Sequence, residues 1–282
     1  MQPVTGIEQY YAIIRRAKTA RGPLRSNCAL FPDAIDRYIR LNRFFCEETE
    51  AGVLFFSDEE DYYSAYYYVD PEIPFSTERK DKPVMIQNIS KGDKKQWLTA
   101  IETSLAANGF EKTQTLRHGV FVGYDRIPQI RRAWKPAERI FQKEGLRYAP
   151  LRREQIPEML AFRKTIPEMR FYLMPYYTDE ELMKEAEAER LCCVTDAQGR
   201  IIAARHLTVS GGKTYGWVGI AEKYQTAYGI SLMFLCRALD YIEQHNLKMC
   251  SWVAVDNVPS LQYHERLGTE WTGHTADIWL SE

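Results

Sequence analysis

The chain has no Cys-x-x-Cys pair, and its cysteines and histidines never fall at metal-ligand spacing. Its six cysteines (Cys28, Cys46, Cys192, Cys193, Cys236 and Cys250) therefore exclude a zinc ribbon or a thioredoxin-type motif. They read as free, buried thiols of a reducing compartment. Cys192 and Cys193 are adjacent in an apolar run, so one faces each side of a strand. His118 and His206 lie in strand patterns with no second ligand at metal spacing. Long hydrophobic runs are missing too. The longest near-apolar run, Ile230–Cys236, stops at Arg237, far short of the ~20 residues that span a bilayer. Met1 to Gly6 lack the basic start and apolar stretch of a secretion signal. A cytoplasmic protein with no membrane partner is the expectation. Net charge is also scarce, at −1, so no global field draws the chain to nucleic acid. Selectivity has to come from a local site.

Apolar content is ample. Of 282 residues, 45% are hydrophobic and 27% charged, which suits one large domain or two of similar size. Ile7, Tyr10, Tyr11, Ile14 and Ala17 recur at helical spacing up to Gly22-Pro23. A second helix starts at Pro32, a residue tolerated in a first turn, with Ile35, Tyr38, Ile39 and Phe45 on one side. Strands are expected over 53–56, 62–69 and 84–89, a helix over 93–107, and a strand over 113–123. A helix over 127–144 follows, which Pro136 should kink or restart because it cannot donate its backbone bond.

The second half reads more clearly. It predicts a strand at 146–151, helices at 153–162 and 179–188, and a hairpin of 190–195 with 201–209 about Asp196-Ala197-Gln198-Gly199. A strand at 214–220, a helix at 230–244, a strand at 249–255, a helix at 259–267 and a final strand at 269–280 complete it. Gly109, Glu111 and Thr113 after one helix are echoed by Gly268, Glu270 and Thr272 after another. Two related mixed α/β units are therefore expected: 1–125, a connecting helix at 126–145, and 146–282.

Two segments carry chemistry. In the first, a strand ends at Ile220, a polar loop turns, and a helix starts near Gly229. Main-chain N–H groups at a helix start, with its positive dipole end, favour an anion. Gly229 permits close backbone approach, and Ser231 is too small to obstruct it. The second segment is Asn257-Val258-Pro259-Ser260-Leu261-Gln262-Tyr263-His264-Glu265-Arg266-Leu267-Gly268. It resembles the Asn-x-x-Ser-x-x-aromatic-(Tyr or His)-x-(Lys or Arg)-Leu-Gly signature of the GNAT acetyltransferase superfamily. The resemblance covers roughly 146–280. In the loop, where the family has Arg-x-x-Gly-x-(Gly or Ala), this chain reads Gln225-Thr226-Ala227-Tyr228-Gly229-Ile230-Ser231, with glutamine at the basic position.

The resemblance implies two tandem GNAT-like units, each a mixed, largely antiparallel sheet flanked by helices, with the carboxyl-terminal one active. It implies acetyl-CoA as co-substrate. Val218, Gly219 and Ile220 would bind its pantetheine arm, and Gln225, Tyr228, Gly229, Ile230 and Ser231 its diphosphate. Asn257 and Ser260 would line it near the thioester. An acceptor amine, on a small molecule or a peptide, would attack directly. His264, at the family's usual tyrosine position, would protonate the leaving thiolate, its ordinary pKa near 6.5 suiting either proton direction. Tyr263 is the alternative acid or a packing residue, and Glu222 a candidate base. Acceptor selectivity would sit in the loops 167–178 and 263–275. The amino-terminal half has no Gly-rich loop between strand and helix and no Asn-x-x-Ser counterpart. It is expected to wall the acceptor site or stabilise the pair. Two rivals stand beside this reading. One is a non-catalytic acyl-CoA-binding module, which Gln225 favours. The other is an aminoacyl-tRNA-dependent peptidyltransferase, which the near-zero charge disfavours.

Overall fold

Alternation and helical periodicity turn into elements almost where the sequence places them. The computed structural model describes residues 1–74, 80–93, 95–166, 176–225 and 229–281. In chain order these form β1 (Gln2–Pro3), α1 (Ile7–Arg21), β2 (Arg25–Ser26), α2 (Pro32–Arg40), β3 (Phe44–Thr49), β4 (Gly52–Asp58), β5 (Tyr63–Val69), β6 (Val84–Lys91), α3 (Gln96–Ala107) and β7 (Glu111–Phe121). Then come α4 (Ile127–Lys143), β8 (Arg147–Pro150), α5 (Ile156–Lys164), α6 (Asp179–Glu187), β9 (Leu191–Thr195), β10 (Ile201–Ser210) and β11 (Lys213–Ile220). The chain closes with α7 (Ile230–His245), β12 (Lys248–Ala254), α8 (Val258–Leu267) and β13 (Thr269–Ser281). This is mixed α/β architecture.

The chain divides into two units. The first is Met1–Arg117 with Ala254–Asp256 and Gly273–Glu282, and the second is His118–Val253 with Asn257–Thr272. No single cut in the sequence separates them. The helix expected as a connector, α4, lies wholly within the second unit, and the last strand's end belongs to the first.

In the first unit the sheet runs β1-β3-β4-β5-β6, with the end of β13 beside β6 and then the start of β7. β13 pairs antiparallel with β6 from His274↔Lys91 to Ser281↔Val84. β4 is buried on both faces. Val53 and Phe55 enter a cluster with Tyr10, Ile13 and Ile35 from α1 and α2, while Leu54 and Phe56 join Ile101 and Leu105 of α3 and Trp279 of β13. Period two explains the split. Phe45, expected on the face of α2, lies instead in β3, opposite Phe56 of β4. Asn42, with φ of 55°, ends the helix before it.

In the second unit β12, β11, β10, β9 and β8 are successive neighbours. Leu191 and Cys193 pack with Ile156, Met159 and Leu182 of α5 and α6, and Val194 with Met233 and Phe234 of α7. Cys192 turns away from Cys193, with Arg205 3.8 Å from its sulfur. All six cysteines are unpaired. Pro136 does not break α4, which is continuous from Ile127 to Lys143. Its position is exposed, so the carbonyl left without an N–H partner can turn to water. Among the described residues no helix is long and apolar enough to cross a membrane, and no group of His, Cys, Asp and Glu could hold a metal ion.

Candidate functional site

β11 and β12 run parallel, and their ladder is short. Lys213, Thr214 and Tyr215 pair with Lys248, Met249 and Cys250. Beyond that both strands continue, β11 to Ile220 and β12 to Ala254, without pairing to each other. On its other side β11 stays in register with β10 from Ser210↔Lys213 to Ala203↔Ile220. The direction of the free groups follows from antiparallel alternation. Ala221 N–H donates to Ile202 O at 2.9 Å, so Gly219 and Trp217 also exchange bonds with β10. The C=O of Gly216 and the N–H and C=O of Val218 and Ile220 therefore point into the gap between the parted strands, the Gly216 N–H closing the last bridge to Cys250. Val218 is 45% exposed. The carbonyl of Ile220 accepts from Gln225 Nε2 at 3.4 Å. Gln225 thus reaches back to the strand end.

The loop after β11 makes a single 3-10 turn, Glu222–Tyr224, in which Glu222 is exposed. No hydrogen bond among the described residues joins Glu222 to the α8 side chains. Tyr228 lies outside the described residues, as do 226 and 227. Gly229 starts α7 with φ of 65°, the left-handed region open to glycine at little cost. It has a second reason to be glycine, since a Cβ there would sit 2.7 Å from Ala137 Cβ of α4. Ile230 is 1% exposed and belongs to the core, so its side chain is closed to any ligand. Ser231 is exposed. The first N–H groups of α7 have no intrahelical acceptor.

The Asn257–Gly268 signature folds as a capped helix. Asn257 Oδ1 accepts from Ser260 N at 3.1 Å, which fixes the start of α8. Gly268 closes it with φ of 88°. That glycine also permits a close contact, because a Cβ on it would lie 2.8 Å from Gly123 Cα. His264 Nδ1 is 3.4 Å from both Ser251 Oγ and Thr269 Oγ1. Ser251 is the first residue of β12 past the ladder, so His264 stands where the strands part. Burial pushes its imidazole down to about 4, leaving it neutral at pH 7. It therefore lacks the proton that an imidazolium acid would give up. Tyr263 is 37% exposed rather than core. Desolvation and, less, Cys236 push its phenol up to about 12, so it stays protonated.

One buried cluster has no signature in the sequence. His206 on β10 is fully buried, and its Nε2 is 3.1 Å from Glu185 Oε2 on α6. Arg190 grips the same carboxylate through two nitrogens, each at 2.7 Å. Burial would raise Glu185, but the bonds from Arg190 and His206 outweigh it and pull it down to about 2. His206 Nδ1 and Trp217 Nε1 are buried without hydrogen-bond partners. Spacing alone could not bring together residues 185, 190 and 206, because the β9–β10 hairpin register places them. Of the specificity loop expected at 167–178, residues 167–175 lie outside the described ones.

No model of a known protein family matches the chain. No curated protein matches its sequence. Solved structures do match its fold. A tandem GNAT protein from the clavulanic acid biosynthesis pathway is 12% identical, with a TM-score of 0.50 over 100% of this chain and 97% of that one. A Drosophila protein is 11% identical, with a TM-score of 0.53 over 99% and 97%. The chain thus shares the fold of that tandem GNAT protein.

Proposed function

We propose that the second unit binds an acyl-coenzyme A, acetyl-CoA in the simplest case, and transfers its acyl group to an amine of a small molecule or a peptide. The observation that carries this is the parting of β11 from β12, with main-chain donors and acceptors turned into the gap. A pantetheine arm is an extended chain of amides, and an open strand edge suits such a chain through main-chain bonds. Val218 would supply N–H and C=O, and Ile220 its N–H, its carbonyl being engaged by Gln225. The N–H groups of Ile230 and Ser231 at the start of α7 would receive the diphosphate.

When bound, the thioester supplies an activated acyl carbon. Asn257, through its cap on Ser260, holds α8 so that Tyr263 and His264 stay in place. The amine nitrogen bonds to the acyl carbon as the carbon–sulfur bond breaks. Its extra proton leaves to solvent or to Glu222, and the coenzyme departs as a thiolate that accepts a hydrogen bond from α8 and takes its proton from water. Tyr263 is the group there that keeps a proton at neutral pH. A phenol near 12 is a weaker acid than a thiol near 8.5, so Tyr263 acts by hydrogen-bonding the departing sulfur more than by full transfer. Neutral His264 orients the site.

Calorimetry with acetyl-CoA, followed by thiol release over an amine panel, tests the proposal. Binding with release supports the enzyme. Binding without release assigns a coenzyme-binding module, the reading favoured by glutamine at 225. Absence of binding removes both.

A further inference from the structure

The first unit shows the same parting of parallel strands, and there the chain itself fills the gap. β5 and β6 pair through Tyr63↔Val84, Ser64↔Met85 and Ala65↔Ile86, after which both strands continue unpaired to each other. Asp70 N–H donates to Ala51 O at 2.8 Å. By alternation the main-chain groups of Val69, Tyr67 and Ala65 face away from β4; those of Ala65 meet β6 at the end of the ladder, and those of Val69 and Tyr67 point into the gap. Each of these residues is met by the segment after α1. Arg25 pairs with Val69 and Ser26 with Tyr68. Tyr67 N–H donates to Asn27 Oδ1 at 2.8 Å. Asn27 Nδ2 donates to Ala65 O at 3.3 Å and to Gln87 O at 3.1 Å, so one side chain spans both strands.

We propose that residues 25–29 are a built-in occupant of the first unit's slot, with the Asn27 carboxamide standing where an extended ligand's amide would bond. The second clause rests on the coenzyme reading above: the chain takes one acyl thioester, in the second unit alone. A carboxamide suits the task because it carries an acceptor and two donors. Leu24 and Leu30 bracket the segment and pack against the α1–α2 cluster. Cys28 N–H donates to Ser26 Oγ at 2.9 Å and shapes the turn between them. The space left beside the segment is lined by Asn27, Ala29, Ser64, Tyr66, Met85 and Gln87, so the segment and the two strands enclose what remains. Among the described residues no helix lies between β5 and β6. Among the described residues, then, no helix start is there to meet a diphosphate.

The test uses the full chain, hydrogen exchange resolved along the backbone, and titration with acetyl-CoA. In the wild type the Tyr67 amide should exchange at least tenfold more slowly than in Asn27→Leu, which is similar in size but removes the Oδ1 acceptor of Tyr67 N–H together with both donors. Acetyl-CoA should bind at one equivalent, protecting 216–220 and leaving 64–69 and 85–89 unchanged. Two equivalents, or protection of 64–69 by acetyl-CoA, would overturn the proposal. So would a wild-type Tyr67 amide that exchanges at the rate of an unpaired one. If acetyl-CoA binds nowhere, the coenzyme reading falls. The Tyr67 comparison then still decides whether the segment occupies the slot.

Discussion

Gly229 and His264 carry different burdens from those their motifs suggest. Gly229 reads in the sequence as a phosphate-turn glycine. In the fold it also lets α7 approach Ala137 of α4, and nothing local to the loop announces that contact. Gly229→Ala adds left-handed strain and an overlap, together about 2–4 kcal/mol of lost stability. The second substitution Ala137→Gly should recover the overlap part, giving a measurable coupling in urea unfolding. Simple additivity would mean that the contact is not tight. The His264 case concerns pH. The folded chain resists protonation down to about 4, whereas the unfolded chain accepts a proton near 6.5. This group's share of stability is therefore complete above pH 6.5 and is lost as pH falls towards 4, at up to roughly 1.4 kcal/mol per pH unit. His264→Gln should narrow the gap between urea midpoints at pH 7 and pH 4.5. An unchanged gap would show that the imidazole is not desolvated. The 259–267 helix was legible in the sequence because its period lies within one segment, whereas the Asn257 cap on Ser260 and the Gly268 stop appear only in the fold.

A strand edge is legible only in part. The 214–220 strand, the 230–244 helix and nearly every other element follow from periodicity, since local burial alternates with each residue or turn. Strand β3 escaped because Phe45 also fits a helical face. Two-residue β2 carries no period at all, and its role comes from pairing with Val69 and Tyr68. The length of a ladder is likewise a property of two strands, so the point where β11 and β12 part becomes visible only in the fold. Alternation along β11 yields a test at this scale. Val218→Pro deletes an N–H that faces the gap, leaving the β10 ladder bonds in place, and proline is tolerated on an open edge. It should weaken acetyl-CoA binding about three- to tenfold, the worth of one hydrogen bond, with little loss of thermal stability. Gly219→Pro, one residue on, deletes a ladder bond and should destabilise the unit. Equal thermal effects of the two would refute the assigned direction of the N–H groups.

At the scale of the molecule, chain order and unit membership diverge. A reading along the sequence assigns 1–125 and 146–282 to successive domains, since helix and strand patterns repeat in that order. The end of β13 nevertheless pairs with β6 in the first unit, a connection between segments far apart in the sequence that no local pattern encodes. Both units can be recognised as repeats, whereas the exchange of a terminal strand depends on which edge is free when the sheets form. Ile278 is 1% exposed on that strand, directly opposite Gln87 of β6. Ile278→Ala removes buried methylene groups and leaves a cavity, a loss of about 2–5 kcal/mol. If the strand stabilises the unit it pairs with, hydrogen exchange should accelerate first in β4, β5 and β6, residues 52–58, 63–69 and 84–91. Protection across β9 and β10 in the second unit should persist. Loss of protection confined to β9 and β10 would return the strand to the half of the chain in which it is encoded.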